Sequence, residues 1–153
     1  MNAPSRPARL VIDTNVLVSA LVFKDSRHLP LREAWQARRV IPLLSIKTYR
    51  ELKRVLGYEM FKLSDDQIAE GIAHLGPYIE WITIDDERIA TLAKCSDRDD
   101  QKFLNVALCG DADALLTYDR ALLKLRKRVP FAIATPDLWS SANAQELSPV
   151  SPP

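Results

Sequence analysis

Acidic residues in four separate segments of the chain have types and positions that can bind a divalent cation. Asp13 directly follows the apolar run 10–12, and Asp119 follows a second such run, 114–118. A carboxylate at the end of a buried strand is costly unless a helix terminus, a hydrogen-bond network or a cation satisfies it. Each aspartate taken alone is also an ordinary N-cap of the helix that follows, because Asp is favoured at that position.

Glu51 lies in a segment, 46–56, whose apolar residues recur at helical spacing. It falls at the flank of this apolar stripe, beside Val55, rather than among the basic residues of the solvent-facing side. The alternative interpretation is an ion pair with Lys47 one turn earlier. That order of charges stabilises a helix by only a few tenths of a kcal/mol.

Asp100 belongs to the acidic stretch that opens the predicted helix 100–109. It precedes the apolar residues Phe103 and Leu104 by three and four positions, so it lies on the same helix face, one turn earlier. An N-cap and the helix dipole account for one or two of the acids in this stretch. They do not explain why Asp100 should point inward.

Electrostatic repulsion limits how these four acids can be arranged in the fold. Two carboxylates about 5 Å apart repel each other by roughly 3 kcal/mol at an effective dielectric constant of about 20. Four that converge at one edge of a sheet require protonation or a cation. Ligands that are all oxygen favour Mg²⁺ or Mn²⁺, and such ions activate water for attack on phosphodiesters. The sequence therefore predicts either acids that do not converge or a magnesium or manganese site.

The elements that must position these acids alternate between strand and helix. Strands are predicted at 9–13, 40–44, 79–84, 114–118 and 131–134. Helices are predicted at 14–22, 30–38, 46–56, 65–75, 86–94, 100–109, 119–125 and 136–141. This alternation is typical of a three-layer α/β/α fold with a mostly parallel sheet of about five strands. In such folds ligands bind beyond the carboxyl ends of the strands, where Asp13 and Asp119 are expected to lie together.

Length and composition are those of one globular domain. The chain has 153 residues, 47% of them hydrophobic, and a net charge of +1. We expect a single domain at 9–141 between Pro/Ser-rich tails, 1–8 and 142–153. Two cysteines without a C-x-x-C motif favour the reducing cytoplasm. No apolar run reaches 18 residues, and the N-terminus lacks the apolar core of a signal peptide, so no membrane association is expected.

Four segments that occur in order, 11–22, 45–52, 95–108 and 112–123, resemble the PIN domain, especially the bacterial VapC-like toxins. The resemblance implies a Mg²⁺- or Mn²⁺-dependent endoribonuclease that acts on RNA. By match, the catalytic and metal-binding acids are Asp13, Glu51, Asp100 and Asp119. Polar residues expected to orient these ligands are Thr14, Asn15, Ser19, Asp97, Asp99 and Thr117. Expected partners are an antitoxin protein, which blocks the cleft, and a second copy of the chain, with Phe23 and Leu29 at the dimer surface.

One departure and two alternatives accompany this resemblance. Tyr118 stands between Thr117 and Asp119, where the family often has a small residue, and it can narrow the cleft or stack on a base.

The basic residues of 124–128 contact RNA phosphates or form a solvated helix face. The alternative function is a PIN-like module that binds RNA or protein without cutting. A phosphoaspartyl receiver domain is disfavoured, because Asp13 has no acidic neighbour.

Overall fold

Five parallel strands form the centre of the part of the chain, residues 6–23 and 26–143, that the computed structural model describes. In chain order they are β1 (Ala8–Ile12), β2 (Val40–Leu44), β3 (Glu80–Trp81), β4 (Ala114–Leu116) and β5 (Ala132–Ala134). Their order across the sheet is β3-β2-β1-β4-β5. The first strand of the chain is therefore the central one.

Helices follow the strands along the chain. They are α1 (Thr14–Val22), α2 (Leu29–Gln36), α3 (Ile46–Leu56), α4 (Asp65–Ala73), α5 (Asp86–Ile89), α6 (Gln101–Cys109), α7 (Arg120–Leu123) and α8 (Pro136–Ala142). Short 3₁₀ turns occupy Glu59–Phe61, Gly76–Tyr78 and Arg98–Asp100. None of the helices in the described ranges is long and apolar enough to cross a membrane.

Alternate residues of β1 face two separate apolar cores. Leu10 and Ile12 pack with residues of α1, α2, α3 and α8, whereas Val11 packs with residues of α6 and α7. Side chains of a strand point alternately to the two faces of a sheet, so helices cover both faces. The chain is a three-layer α/β/α fold with an all-parallel sheet, and the predicted fold class is confirmed.

The carboxyl ends of β1 and β4 lie side by side. Ile12 is paired with Leu116, and one residue later the Asp13 N–H donates to the Leu116 carbonyl at 2.9 Å. Because both strands run in the same direction, the residues that follow them emerge at the same edge of the sheet. This pairing places Asp13 beside the segment that leads to Asp119.

Helix α3 begins with a capping box that sets its first turn. The Ser45 hydroxyl accepts from the Thr48 N–H at 3.3 Å, and the Thr48 hydroxyl accepts from the Ser45 N–H at 2.9 Å. Leu52 and Leu56, one turn apart, are buried completely and hold the helix against the sheet. The capping box determines where α3 begins, and the two leucines determine which of its faces is buried. The helix can therefore hold a polar side chain at the edge of the sheet.

Several element boundaries differ from the prediction. The strand expected at 79–84 is reduced to Glu80–Trp81, and the helix expected at 86–94 ends at Ile89. The strand β3 is at the edge of the sheet and pairs only with β2, so its length depends on that neighbour rather than on its own apolar pattern. Of the predicted tails, residues 1–5 and 144–153 lie outside the described residues, while β1 already begins at Ala8.

Candidate functional site

A cleft of about 410 Å³ opens at the carboxyl edge of the sheet. All four acids singled out in the sequence line it. The residues that form its wall are Asp13, Thr14, Asn15, Val16, Glu51, Val55, Asp100, Tyr118 and Asp119. These residues come from four segments of the chain, so the parallel sheet brings together acids that are up to about a hundred positions apart in sequence.

Asp13 lies between β1 and α1 and is mostly buried. Its carboxylate makes no N-cap hydrogen bond to α1 and instead accepts a hydrogen bond from the Thr117 hydroxyl at 2.6 Å. Burial raises the pKa of Asp13, and the charges of Glu51 and Asp119 raise it further, while the Thr117 bond lowers it. Its side chain is therefore a site residue held by Thr117, and the capping interpretation is wrong for Asp13.

Asp119 does cap a helix, as its position after a strand suggested. One carboxylate oxygen accepts from the Ala121 N–H at 2.7 Å, and the Asp119 N–H donates to the Thr117 hydroxyl at 2.9 Å. The carboxyl group also lies near that of Asp100 and contributes to the raised pKa of Asp100. The Thr117 hydroxyl therefore contacts two of the four acidic residues, since it donates to the Asp13 carboxylate and accepts from the Asp119 N–H.

Asp100 is the acid least satisfied by the protein. It lies where the 3₁₀ turn Arg98–Asp100 meets α6, and its Oδ2 atom is buried with no hydrogen-bond partner among the described residues. Burial and the neighbouring carboxyl groups of Asp119 and Asp13 raise the pKa of Asp100 to about 7. The inward orientation predicted for this residue is what the structure has. Its neighbours Asp97 and Asp99 are exposed and lie outside the cleft wall.

Glu51 has both carboxylate oxygens engaged. Oε2 accepts a short hydrogen bond from the Thr14 hydroxyl, and Oε1 lies 2.8 Å from the Lys102 ammonium nitrogen. A more distant, exposed guanidinium, that of Arg54, lies 3.7 Å from the same oxygen. The alternative pairing with Lys47 is replaced by these contacts, because α3 turns Glu51 toward α6 rather than toward solvent.

The polar residues expected around the acids divide into two groups. Thr14 and Thr117 hydrogen-bond to Glu51 and Asp13, and Asn15 is exposed at the cleft wall. Ser19 is placed differently, since its hydroxyl hydrogen-bonds with that of Ser26 outside the cleft wall. Six positions along a helix correspond to about 9 Å, which takes this hydroxyl away from the carboxylates. The structure therefore does not place the Ser19 hydroxyl against the acids, and its orienting role stays a prediction.

The PIN domain family model matches residues 9–121, a range that contains all four acids. This chain belongs to the PIN domain family. PIN domains are typically nucleases, and they generally need divalent metal ions. No curated protein sequence matches the chain.

The cleft of this PIN domain offers the oxygen ligands that a hard divalent cation prefers. Asp100 has a buried oxygen without a partner, and Asp13 and Asp100 both have raised pKa values, as expected of a carboxylate cluster that lacks a counter-charge. Within residues 6–23 and 26–143, however, no three His, Cys, Asp or Glu side chains are arranged to hold a metal ion. The donor chemistry fits a cation, but the side chains must move to enclose one.

Tyr118 borders the cleft without blocking it. Its hydroxyl donates to Asp137 at 3.0 Å and lies 3.4 Å from a ring nitrogen of His28. The Arg27 guanidinium lies 5.0 Å from the centre of the tyrosine ring. Because these contacts hold the ring to one side, Thr117 and Asp119 both reach the site despite the bulky residue between them. The ring is 38% exposed, so one part of it is accessible from the cleft.

Lys102 is the residue at this site that the sequence patterns did not single out. It lies in the first turn of α6 and forms an ion pair with Glu51 on α3. A signal was present, because a cation is disfavoured in the first turn of a helix by the helix dipole. A lysine at such a position indicates a specific acidic partner elsewhere in the fold.

Proposed function

We propose that this PIN domain is a metal-dependent endoribonuclease that hydrolyses RNA phosphodiester bonds with Mg²⁺ or Mn²⁺. The observation that carries the proposal is the position of Asp100. Its oxygen is buried without a partner in a cleft shared with Asp13, Glu51 and Asp119. A protein that keeps such a group at an accessible cleft leaves it available to a ligand, and a divalent cation is the ligand that satisfies several carboxylates at once.

Each residue of the cleft has a proposed role. Asp13, Asp100 and Asp119 hold the cation, and Thr117 keeps the carboxylate of Asp13 in orientation through its 2.6 Å hydrogen bond. When bound, the cation polarises the scissile phosphate and increases the acidity of water. Glu51, held by Thr14, orients the attacking water and accepts its proton.

A basic surface beside the cleft supports an RNA substrate. Directly after Asp119, the residues Arg120, Lys124, Arg126 and Lys127 surround a shallow depression together with Leu123. Cations grouped in this way attract a polyanionic backbone and release its counterions. The RNA strand is therefore proposed to run from this surface across the acidic cleft.

The proposal is tested by incubating purified protein with a pool of mixed single-stranded RNAs. The expected result is cleavage with Mn²⁺, none with EDTA, and a loss of at least about a hundredfold in Asp13→Asn. Asp99→Asn is the matched control, since it removes an exposed acid outside the cleft wall and should cut normally. Cleavage that persists in EDTA or in Asp13→Asn contradicts the proposed site.

We further propose that the enzyme is the toxin of a type II toxin–antitoxin pair and acts in the cytoplasm. This role is supported by the resemblance of the four motif segments to VapC-like toxins. An antitoxin encoded by a neighbouring reading frame would block the cleft. The proposal predicts growth arrest when the protein is expressed, relief of that arrest by Asp13→Asn, and relief by co-expression of the neighbouring reading frame. Growth at the wild-type rate during expression contradicts it.

A homodimer is proposed on the apolar surface around Phe23. The Phe23 side chain is 44% exposed and packs against Phe61, with the ring centres 6.0 Å apart. A partly exposed aromatic pair is a suitable anchor for a second copy of the chain. Light scattering of the wild type should give the mass of a dimer, and Phe23→Ser should shift it toward a monomer.

One observation favours the second candidate, a module that binds RNA without cutting it. Glu51 is paired with Lys102, and the described acids do not form a group of three around a common point. A protein of this kind would bind the RNA pool and leave it intact with either ion. Binding without cleavage in the same experiment therefore distinguishes the two candidates.

A further inference from the structure

Lys102 and Glu51 form an ion pair that is largely removed from water. The ammonium nitrogen lies 2.8 Å from Glu51 Oε1, and the two side chains are 16% and 14% exposed. The ammonium group also donates to the Asp99 carbonyl oxygen. A lysine has three N–H donors, so these two acceptors fix the direction of the side chain while leaving donor capacity for another anion.

Stability alone does not explain this placement. The first turn of α6 is an unfavourable position for a positive charge, because the partial charge at a helix N-terminus is also positive. A buried ion pair also contributes little net stability, since the loss of hydration offsets much of the attraction. The position of Lys102 is therefore better explained by what its charge does to Glu51.

Both carboxylate oxygens of Glu51 are engaged while it is paired in this way. Thr14 occupies one of its oxygens and Lys102 the other. The hydroxyl and the ammonium group thus take up acceptor positions on both carboxylate oxygens that an attacking water would otherwise use. For Glu51 to perform its proposed role, Lys102 must first move to another anion.

We propose that Lys102 is an exchangeable cation that holds Glu51 before RNA binds and transfers to a phosphate oxygen of the bound RNA. This inference rests on the proposed function and adds a substrate-positioning residue to it. The phosphate replaces the charge that Lys102 loses on leaving Glu51, and the flexible four-carbon side chain of lysine permits the movement. Arrival of the RNA thereby releases Glu51 for the attacking water.

The test measures binding of a fluorescent single-stranded RNA in EDTA, where cleavage is suppressed. Two backgrounds are compared, Glu51→Gln and Asp119→Asn, because each removes one negative charge from the same cleft. Only Glu51→Gln also frees Lys102. Lys102→Met is then introduced into both backgrounds, and thermal unfolding verifies that each variant is folded.

The proposal expects Lys102→Met to weaken RNA binding at least about fivefold in the Glu51→Gln background and no more than about twofold in the Asp119→Asn background. Equal losses in the two backgrounds overturn it, because they indicate a general effect of charge. If a variant with Lys102→Met does not fold, the two backgrounds themselves decide. Glu51→Gln should then bind RNA more tightly than Asp119→Asn, and equal affinities overturn the proposal.

Failure of this inference is distinguishable from failure of the proposed function. Metal-dependent cleavage by the wild type together with equal losses in the two backgrounds rejects the role of Lys102 and leaves the nuclease intact. No binding and no cleavage by any variant rejects the nuclease, and the role of Lys102 with it.

Discussion

Replacing Asp100 by asparagine is expected to stabilise the metal-free protein at pH 8 and to have little effect at pH 5. The substitution keeps the shape of the side chain and removes its charge. In the folded protein, burial and the neighbouring carboxylates Asp119 and Asp13 raise the pKa of Asp100 from its usual 3.8 to about 7. The charged form is therefore the unfavourable one, and it is populated only above this pKa.

The sign of the pH dependence follows from proton uptake on folding. Between about pH 4 and pH 7, the folded chain keeps a proton on Asp100 that the unfolded chain has already released. Because the folded state binds more protons in this range, the free energy of unfolding falls as the pH rises through it. Above pH 7 the full penalty is present, and below pH 4 it is absent.

The magnitude is set by the size of the shift in pKa. A shift of about 3 units corresponds to at most about 4 kcal/mol, at roughly 1.4 kcal/mol per unit. Asp100 is only partly buried, so screening by solvent reduces this figure, and we expect about 1–2 kcal/mol. For a chain of this length such a gain raises the melting temperature by about 3–6 °C.

The assay is thermal unfolding in EDTA at pH 5 and pH 8. Asp99→Asn is the matched control, because it removes an adjacent acid that is exposed and outside the cleft wall. We expect the melting temperature to rise at pH 8 in Asp100→Asn but not in Asp99→Asn. An equal gain in Asp99→Asn, or a gain that is the same at both pH values, would refute the assignment of the repulsion to the cleft.

Three further predictions follow from the structure. Mn²⁺ or Mg²⁺ at about one hundred times its dissociation constant should stabilise the wild type by about 2.7 kcal/mol in thermal unfolding. Asp100→Asn should show a smaller gain. If neither ion changes the melting temperature of the wild type, the proposed metal site is contradicted. Thr117→Val removes the hydroxyl that donates to Asp13, and denaturant titration should show a loss of about 1–2 kcal/mol. Gly110→Ala places a methyl group 2.9 Å from a backbone oxygen and should cost about 1–3 kcal/mol in the same assay, whereas Gly76→Ala, which meets no atom within 4 Å, should not.

The order of the elements could be read from local patterns. Helices α1 and α3 have the bounds predicted for them, because apolar residues recur at helical spacing in both segments, and α3 also has the capping residue Ser45 directly before it. The length of β3 could not be read in this way. An edge strand extends only as far as its neighbour can pair with it, and that depends on a segment far away in sequence.

The candidate site shows the same division. A strand that ends in an acid predicted that Asp13 and Asp119 would meet at one edge of the sheet, and both line the cleft with Glu51 and Asp100. The sequence did not indicate which hydroxyl holds which acid. Thr14, Ser19 and Thr117 were all expected near the acids, and Thr117 is the one that holds Asp13, because the alignment of β1 with β4 brings its hydroxyl to 2.6 Å.

By itself, the sequence determined the alternation of strands and helices, the parallel sheet and the position of Asp13 and Asp119 at its carboxyl edge. These features follow from short-range periodicity and from the rule that parallel strands end at one edge. Only the tertiary structure decided that Glu51 pairs with Lys102 and that Asp100 is left with an unsatisfied oxygen. Both features depend on how the side chains of α3 and α6 pack against each other. A shift of about one ångström in the position of a side chain separates an ion pair from a free carboxylate.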